Sequence, residues 1–309
     1  MQRSTVLLRH LISHRPTKYL IAVCGPTASG KTGLAVEIAR QYQTSVLSAD
    51  ARQVYREMKI GTAPPTAREL SAVPHYLIGN KSIAEDYSAA AYARDALNVL
   101  ESLYQENDFA VLCGGSGLYI QALLQGFDSI PAVSPEIRQQ LQQRLLQNGL
   151  EALQQELMEA DPAGYRQIEI QNPQRVLRAL EVSLGTGRPY SAFLGKEPLE
   201  RPFTPIKLAI EWPREALYAR INQRCDAMLE AGLLKEVEAL LPFRQHQALQ
   251  TVGYKEFFDY FDSKYSFDEA VLKFKQHTRN YAKRQLTWFR KDKTMRWFGP
   301  EAWGKTVGC

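Results

Sequence analysis

No apolar run in this sequence is long enough to cross a bilayer, which excludes a transmembrane helix and a membrane partner. The four cysteines, Cys24, Cys113, Cys225 and Cys309, show no C-x-x-C spacing. Neither a disulfide framework nor a zinc site is indicated, and free thiols fit a reducing cytoplasm. Cys24 and Cys113 close apolar runs and read as buried thiols. Internal repeats and long low-complexity linkers are also absent, which leaves one large or two smaller globular domains in 309 residues. Residues 1–17 have no acid and carry Arg3, Arg9 and Arg15. Arg9 and His10 interrupt the apolar part, so a secretory signal is excluded; the stretch reads as a disordered tail, with an organelle transit segment as the other reading. The sharpest shortage is of acid near the C-terminus. From Val271 to Phe298 nine basic residues face one acid, Asp292, a net +8 that suits a polyanionic partner.

Against these absences stands one strong motif. Gly25-Pro26-Thr27-Ala28-Ser29-Gly30-Lys31-Thr32 matches G-x-x-x-x-G-K-[ST], the phosphate-binding P-loop. Tyr19 to Cys24 before it reads as a buried strand. After it, Leu34, Ala35, Ile38 and Ala39 fall at helical spacing. A loop between a strand and a helix N-terminus points its amides at an anion. Lys31 adds a point charge for a terminal phosphate, and the Thr32 hydroxyl can hold a magnesium ion.

Ser45 to Ala49 reads as the second strand, with Asp50 at its carboxyl end, beside the P-loop. A P-loop ATPase normally keeps a second acid at the end of a buried strand. Here the candidate strand ends Cys113-Gly114-Gly115, without one. The acid at hand is Asp50, which can accept a proton from an incoming nucleophile or merely cap a turn. Gly114-Gly115-Ser116-Gly117 suits close approach of another backbone. Ser88 caps a helix running to Glu106, and Phe109 to Cys113 is a further buried strand. The fold expected is α/β, a P-loop NTPase-like parallel sheet flanked by helices, with a helical insertion domain. The core takes 18–127 and 206–309, and the insertion takes 128–205. Asp161-Pro162 and Asn172-Pro173 start helices within the insertion. Ile206 to Ile210 resumes the sheet. Helices follow at Pro213–Glu230, Leu233–Leu241 and from Phe267 to about Lys291. In the last, Val271, Phe274, Tyr281 and Trp288 are expected to face the core. Arg175 and Arg178 share one helix face, and Arg220 and Arg224 lie four apart, so one of the latter pair can reach the phosphate site.

In order, the P-loop, Ser48 to Tyr55, Ile60-Gly61-Thr62-Ala63, Gly114 to Tyr119, Asn172 to Arg175 and Gln285 to Phe289 together resemble the tRNA dimethylallyltransferase (tRNA isopentenyltransferase) family. The resemblance covers nearly everything after Lys18. It implies that Gly25, Pro26, Thr27, Ala28, Ser29, Gly30, Lys31 and Thr32 bind dimethylallyl diphosphate where a nucleotide would sit. It implies transfer of the dimethylallyl group to N6 of the adenosine 3′ of the anticodon, with Asp50, Lys31 and Arg224 catalytic and Mg2+ on Thr32. Contacts with the tRNA anticodon stem-loop are implied for Asp50, Ala51, Arg52, Gln53, Ser116 and Arg138. The same holds for Gln174, Arg175, Val176, Leu177, Arg178, Thr251 and Gly253. Ala51 stands where the family commonly has serine, and no Cys/His finger precedes Cys309, as in bacterial members, which also argues against a transit segment. A monomer is expected, in the cytoplasm. A P-loop metabolite kinase, an adenylate isopentenyltransferase and a non-enzymatic RNA-binding protein share parts of this pattern. The first fails to explain the basic C-terminal stretch.

Overall fold

The computed structural model describes residues 18–128, 130–131, 133–195 and 199–302. Residues 1–17, expected as a tail, lie outside them, as does Cys309. The chain opens with β1 (Tyr19–Cys24), α1 (Lys31–Gln41), β2 (Val46–Ser48), α2 (Ala67–Ala72) and β3 (His75–Tyr76). Then come α3 (Ala89–Glu106), β4 (Phe109–Gly114) and α4 (Gly117–Gln125). Three helices follow, α5 (Pro135–Ala160), α6 (Pro162–Gln167) and α7 (Pro173–Thr186). The chain closes with β5 (Thr204–Ile210), α8 (Arg214–Glu230), α9 (Leu233–Leu240), α10 (Lys255–Phe261), α11 (Phe267–Phe289) and β6 (Arg296–Phe298). Among the described residues no helix is long and apolar enough to cross a membrane.

The six strands form one parallel sheet in the order β3-β2-β4-β1-β5-β6. All six residues of β1 are buried, as expected of a strand covered on both faces. Tyr19, Ile21 and Val23 join one apolar layer with Leu34, Ala35 and Ile38 of α1. Leu20, Ala22 and Cys24 join the other, with Leu100 of α3, Leu123 of α4 and Ile221 of α8. From β1 the chain passes over β4 to reach β2, whereas β5 lies on the opposite side of β1. That reversal opens a crevice at the carboxyl ends of β1 and β4, the usual ligand position in such sheets. Ser88 caps α3 as expected, its hydroxyl accepting from the Ala91 N–H at 3.1 Å. Ser266 and Glu269 form a reciprocal capping box on α11.

Gly126–Leu199 forms a unit of its own, and the chain on either side of it forms the other. In the helical unit, Leu141, Leu153 and Leu157 of α5 pack against Val176, Leu177 and Leu180 of α7. Gly149, with φ 77°, breaks α5 midway. Asp161 and Asn172 cap α6 and α7 through their side chains, at 2.8 and 3.0 Å. The return to the sheet, at Thr204, comes two residues earlier than the expected Ile206. Phe203 is buried near Tyr104, and the Thr204 N–H donates to the Lys18 carbonyl at 2.8 Å. Two edge strands, β3 and β6, and helix α10 go beyond what the sequence pattern predicts. Strands of two and three residues carry no periodicity to read. Trp288 also departs from the expected core stripe. It is 37% exposed and lies against Gly117, whereas Gln285 and Phe289 are buried in its place.

The carboxyl ends of β2 and β4 are laced together: the Ala49 N–H donates to the Cys113 carbonyl and the Ser116 N–H to the Ala49 carbonyl. A Cβ on Gly114 would stand 2.2 Å from that Ala49 oxygen, so the position requires glycine for closeness. Gly114→Ala is therefore expected to destabilise the fold by about 1–3 kcal/mol. A denaturant midpoint equal to wild type would show that the two strand ends can part freely.

Candidate active site

The P-loop is shaped by what holds its carbonyls. Gly25 has φ 143° and Gly30 φ 88°, a left-handed residue directly preceding α1. Ala28 adopts φ 61°. The Ser29 carbonyl accepts from Trp212 Nε1 at 2.9 Å, and the Ala28 carbonyl accepts from Arg220 Nε at 2.8 Å. The Arg220 guanidinium lies 4.4 Å above the Trp212 ring. Lys31 Nζ donates to the Pro26 carbonyl at 3.3 Å. With the Ser29 and Ala28 carbonyls held by Trp212 and Arg220, the first residues of α1, Lys31 and Thr32, line the crevice, where the helix dipole favours an anion.

The crevice is a cleft of about 110 Å³ in which Lys31, Thr32, Asp50 and Arg224 meet. Burial out of water pushes the Lys31 ammonium below its ordinary range; Arg224 adds to this and Asp50 opposes it. Burial lowers Arg224 as well, again against the pull of Asp50. Their hydrogen bonds go to carbonyls, of Pro26 for Lys31 and of Ala63 for Arg224 at 3.3 Å. Two cations held this way in a desolvated cleft favour a multiply charged anion. Of the arginine pair on α8, Arg224 reaches the cleft, while Arg220 braces the loop from outside. Cys113 lines the cleft floor, hydrogen-bonds Thr32 and is pushed up to about 11 by burial.

Of the two roles the sequence left open for Asp50, the structure shows the turn cap. Its Oδ1 accepts from the N–H groups of Arg52 (2.9 Å) and Gln53 (3.3 Å), an Asx turn that fixes the carboxyl group. Among the described residues its Oδ2 has no hydrogen-bond partner, and Asp50 lines the cleft. The Ala51 N–H donates to Ser116 Oγ at 2.8 Å, so the loop is secured at that residue by its main chain, independently of the alanine side chain. Gln53 Nε2 donates to the carbonyls of Thr62 and Ala63. Glu236 accepts from the N–H groups of Lys59, Ile60 and Gly61 and from the Tyr254 hydroxyl at 2.7 Å. The 59–63 loop is thereby fixed, and its Ala63 carbonyl aims Arg224. Glu236 carried no sequence signal, because its partners at Lys59, Ile60 and Gly61 are main-chain groups far along the chain.

For a metal, no cluster of three His, Cys, Asp or Glu side chains exists among the described residues. The donors present are the Thr32 hydroxyl and the Asp50 carboxylate. They fit a magnesium ion held chiefly by ligand phosphates and water, as that ion commonly is.

The other named residues divide. Thr251 lines the cleft. Gly253 is buried with φ 90°, and its N–H donates to Glu256. Gln174 and Arg175 are exposed on α7. Arg178 pairs with Glu181 at 3.0 Å, and Arg138 lies 4.0 Å from the same carboxylate. Val176 and Leu177, at 0% and 4% exposure, place their side chains in the core of the helical unit. On the basic helix, Lys275 pairs with Asp226, Arg290 with Glu211, and Arg279 donates to Asn222. Lys283 and Arg284 are exposed.

A family model described as IPP transferase matches residues 53–292. A tRNA dimethylallyltransferase of Cytophaga hutchinsonii is 48% identical over 92% of this chain and 93% of its own length. That of Flavobacterium psychrophilum is 46% identical over 92% and 94%. The solved full-length tRNA isopentenylpyrophosphate transferase of Bacillus halodurans is 36% identical, covering 92% of this chain and 90% of its own, with a TM-score of 0.67. A eukaryotic dimethylallyltransferase solved acting on tRNA reaches a TM-score of 0.78 at 23% identity, covering 92% and 74%, a likeness of fold alone.

Lys31→Ala is expected to weaken binding of inorganic pyrophosphate roughly 10- to 150-fold, the effect of losing one hydrogen bond to a charged group. Calorimetric titration at matched circular dichroism checks this. Wild-type affinity would take Lys31 out of the anion site.

Proposed function

We infer the reaction from one premise: this chain belongs to the IPP transferase family, among relatives that are tRNA dimethylallyltransferases. It is a tRNA prenyltransferase, and it transfers a dimethylallyl group to N6 of the adenosine 3′ of the anticodon, A37. The donor in this reading is dimethylallyl diphosphate. The observation that carries it is the junction of an Asp50 carboxylate, one oxygen fixed and one open, with Lys31 and Arg224 in one cleft.

The diphosphate lies against the P-loop amides with Lys31 and Arg224 on its oxygens. As the bond between C1 and oxygen breaks, charge grows on the leaving diphosphate. Groups already in place stabilise it without reorganising. The exocyclic amine of adenine is a weak nucleophile while its lone pair is delocalised. As the N6–C1 bond forms, N6 gives up a proton, and Asp50 Oδ2 accepts it. The Thr32 hydroxyl would hold Mg2+, which when bound would supply further neutralisation of the leaving group. The adenine must leave its stack to arrive there. RNA phosphates meet exposed cations, Lys283 and Arg284 on α11, and the exposed Gln174 and Arg175 on α7 serve the stem-loop. With this substrate the enzyme works in the cytoplasm, and one chain carries every group named, so a monomer suffices. Supplying dimethylallyl diphosphate with tRNA, AMP or ATP in parallel tests the acceptor. Consumption with AMP and not tRNA would overturn the reading.

Two outcomes follow. Asp50→Asn keeps an acceptor for the Arg52 and Gln53 amides but cannot take the proton. Single-turnover rate should fall roughly 10²–10⁴-fold with both substrates still bound. Full recovery on adding magnesium would make Asp50 a metal group instead of the base. Reversing charge at Lys283 and Arg284 should weaken tRNA binding and reduce its salt slope by about one unit for each RNA phosphate no longer neutralised. An unchanged slope would mean these cations are only solvated.

A further inference from the structure

The chemistry above leaves one buried polar side chain of the cleft without a task. Gln285, 6% exposed, lines the cleft from α11. Its Oε1 accepts from the Thr27 N–H at 2.9 Å, and its Nε2 donates to the Gly115 carbonyl at 3.0 Å. One amide group thus spans the P-loop and the Gly-rich turn after β4. The neighbouring turns of α11 reinforce this. Tyr281 hydrogen-bonds Ser116, and the Trp288 ring lies against Gly117. Tyr281, Gln285 and Trp288 stand at i, i+4 and i+7, one face of the helix. They meet Ser116, Gly115 and Gly117, all within a single turn. A Cβ on Gly115 would lie 2.3 Å from Gln285 Nε2, and one on Gly117 would lie 2.3 Å from the Trp288 ring. The glycines are there to admit this face. Lys283 and Arg284, immediately before Gln285, point to solvent.

We propose that Gln285 is a positioning residue of the donor site: it sets the P-loop at Thr27 from the helix whose outer face meets RNA. It acts through the Thr27 main chain and does not join the reaction. A glutamine suits the task because it offers one acceptor and one donor on a rigid planar group, matched to an N–H and a C=O. Both partners are main-chain groups, so the link depends on the Gln285 side chain alone. The inference rests on the P-loop receiving the diphosphate.

Inorganic pyrophosphate and a tRNA anticodon stem-loop, titrated separately, test it. Wild-type protein that fails to bind pyrophosphate removes the donor reading itself. Given wild-type binding, Gln285→Leu should weaken pyrophosphate about tenfold or more and raise donor KM, with stem-loop affinity and tRNA KM within about twofold. Gln285→Glu keeps the acceptor for Thr27 but opposes the Gly115 carbonyl, and should show the same one-sided loss should the leucine variant not fold. Gly115→Ala approaches the clamp from the other side and should reproduce it. Combined with Gln285→Ala, it should be no worse than either change alone. Wild-type pyrophosphate affinity in a folded Gln285 variant overturns the proposal. So does equal weakening of both ligands with a lowered melting temperature, which would make Gln285 a packing residue.

Discussion

A peptide loop can receive an anion only while its N–H groups converge and its carbonyls are held away. The site depends on that constraint. The P-loop sequence supplies the glycines that allow the bend, but the bend is enforced by others. Trp212 and Arg220 take the carbonyls of Ser29 and Ala28, and both come from the far side of the helical insertion in sequence. Lys31 takes the Pro26 carbonyl. The strand order places β5 beside β1 and so brings the start of α8 against the loop. The insertion therefore interrupts the chain without interrupting the sheet, and the later half of the protein completes a motif that the earlier half begins.

The parts legible in the sequence are those with local cause. The P-loop, the buried strands β1 and β4, the side-chain caps at Ser88, Asp161 and Asn172, and Asp50 at a strand end all follow from neighbouring residues. What stayed hidden is held by main-chain partners remote in sequence. Glu236 fixes amides some 175 positions away, and Gln285 reaches Thr27 across 258. Nothing in the residue type marks such a role, although the spacing of Tyr281, Gln285 and Trp288 does place them on one face. Trp288 reads as core because an aromatic at helical spacing usually packs there. It packs on glycine at the surface instead. The family resemblance identified the motifs, and the geometry separates those that face the cleft from those, such as Val176 and Leu177, that hold a core together.

The basic stretch shows how charge in a sequence differs from charge on a surface. Lys275 and Arg290 are neutralised by carboxylates, and Arg279 is occupied by an asparagine. Exposed pairs of this kind add little stability, but they decide where cations remain available. What remains open on α11 is concentrated at Lys283 and Arg284, the turn that also carries Gln285. Exposed cations and the side chain that reaches the P-loop at Thr27 thus sit on consecutive residues of one helix.

The same burial that shapes the cleft cations acts on the thiol among them. A thiolate is a strong nucleophile, and a thiol is a weak one. Cys113 lies in the same cleft as Lys31, yet burial pushes its thiol up to about 11. Burial therefore favours the protonated thiol over the thiolate that would react. The burial that lowers Lys31 and Arg224 thus also holds the sulfur beside them in its protonated, less nucleophilic form.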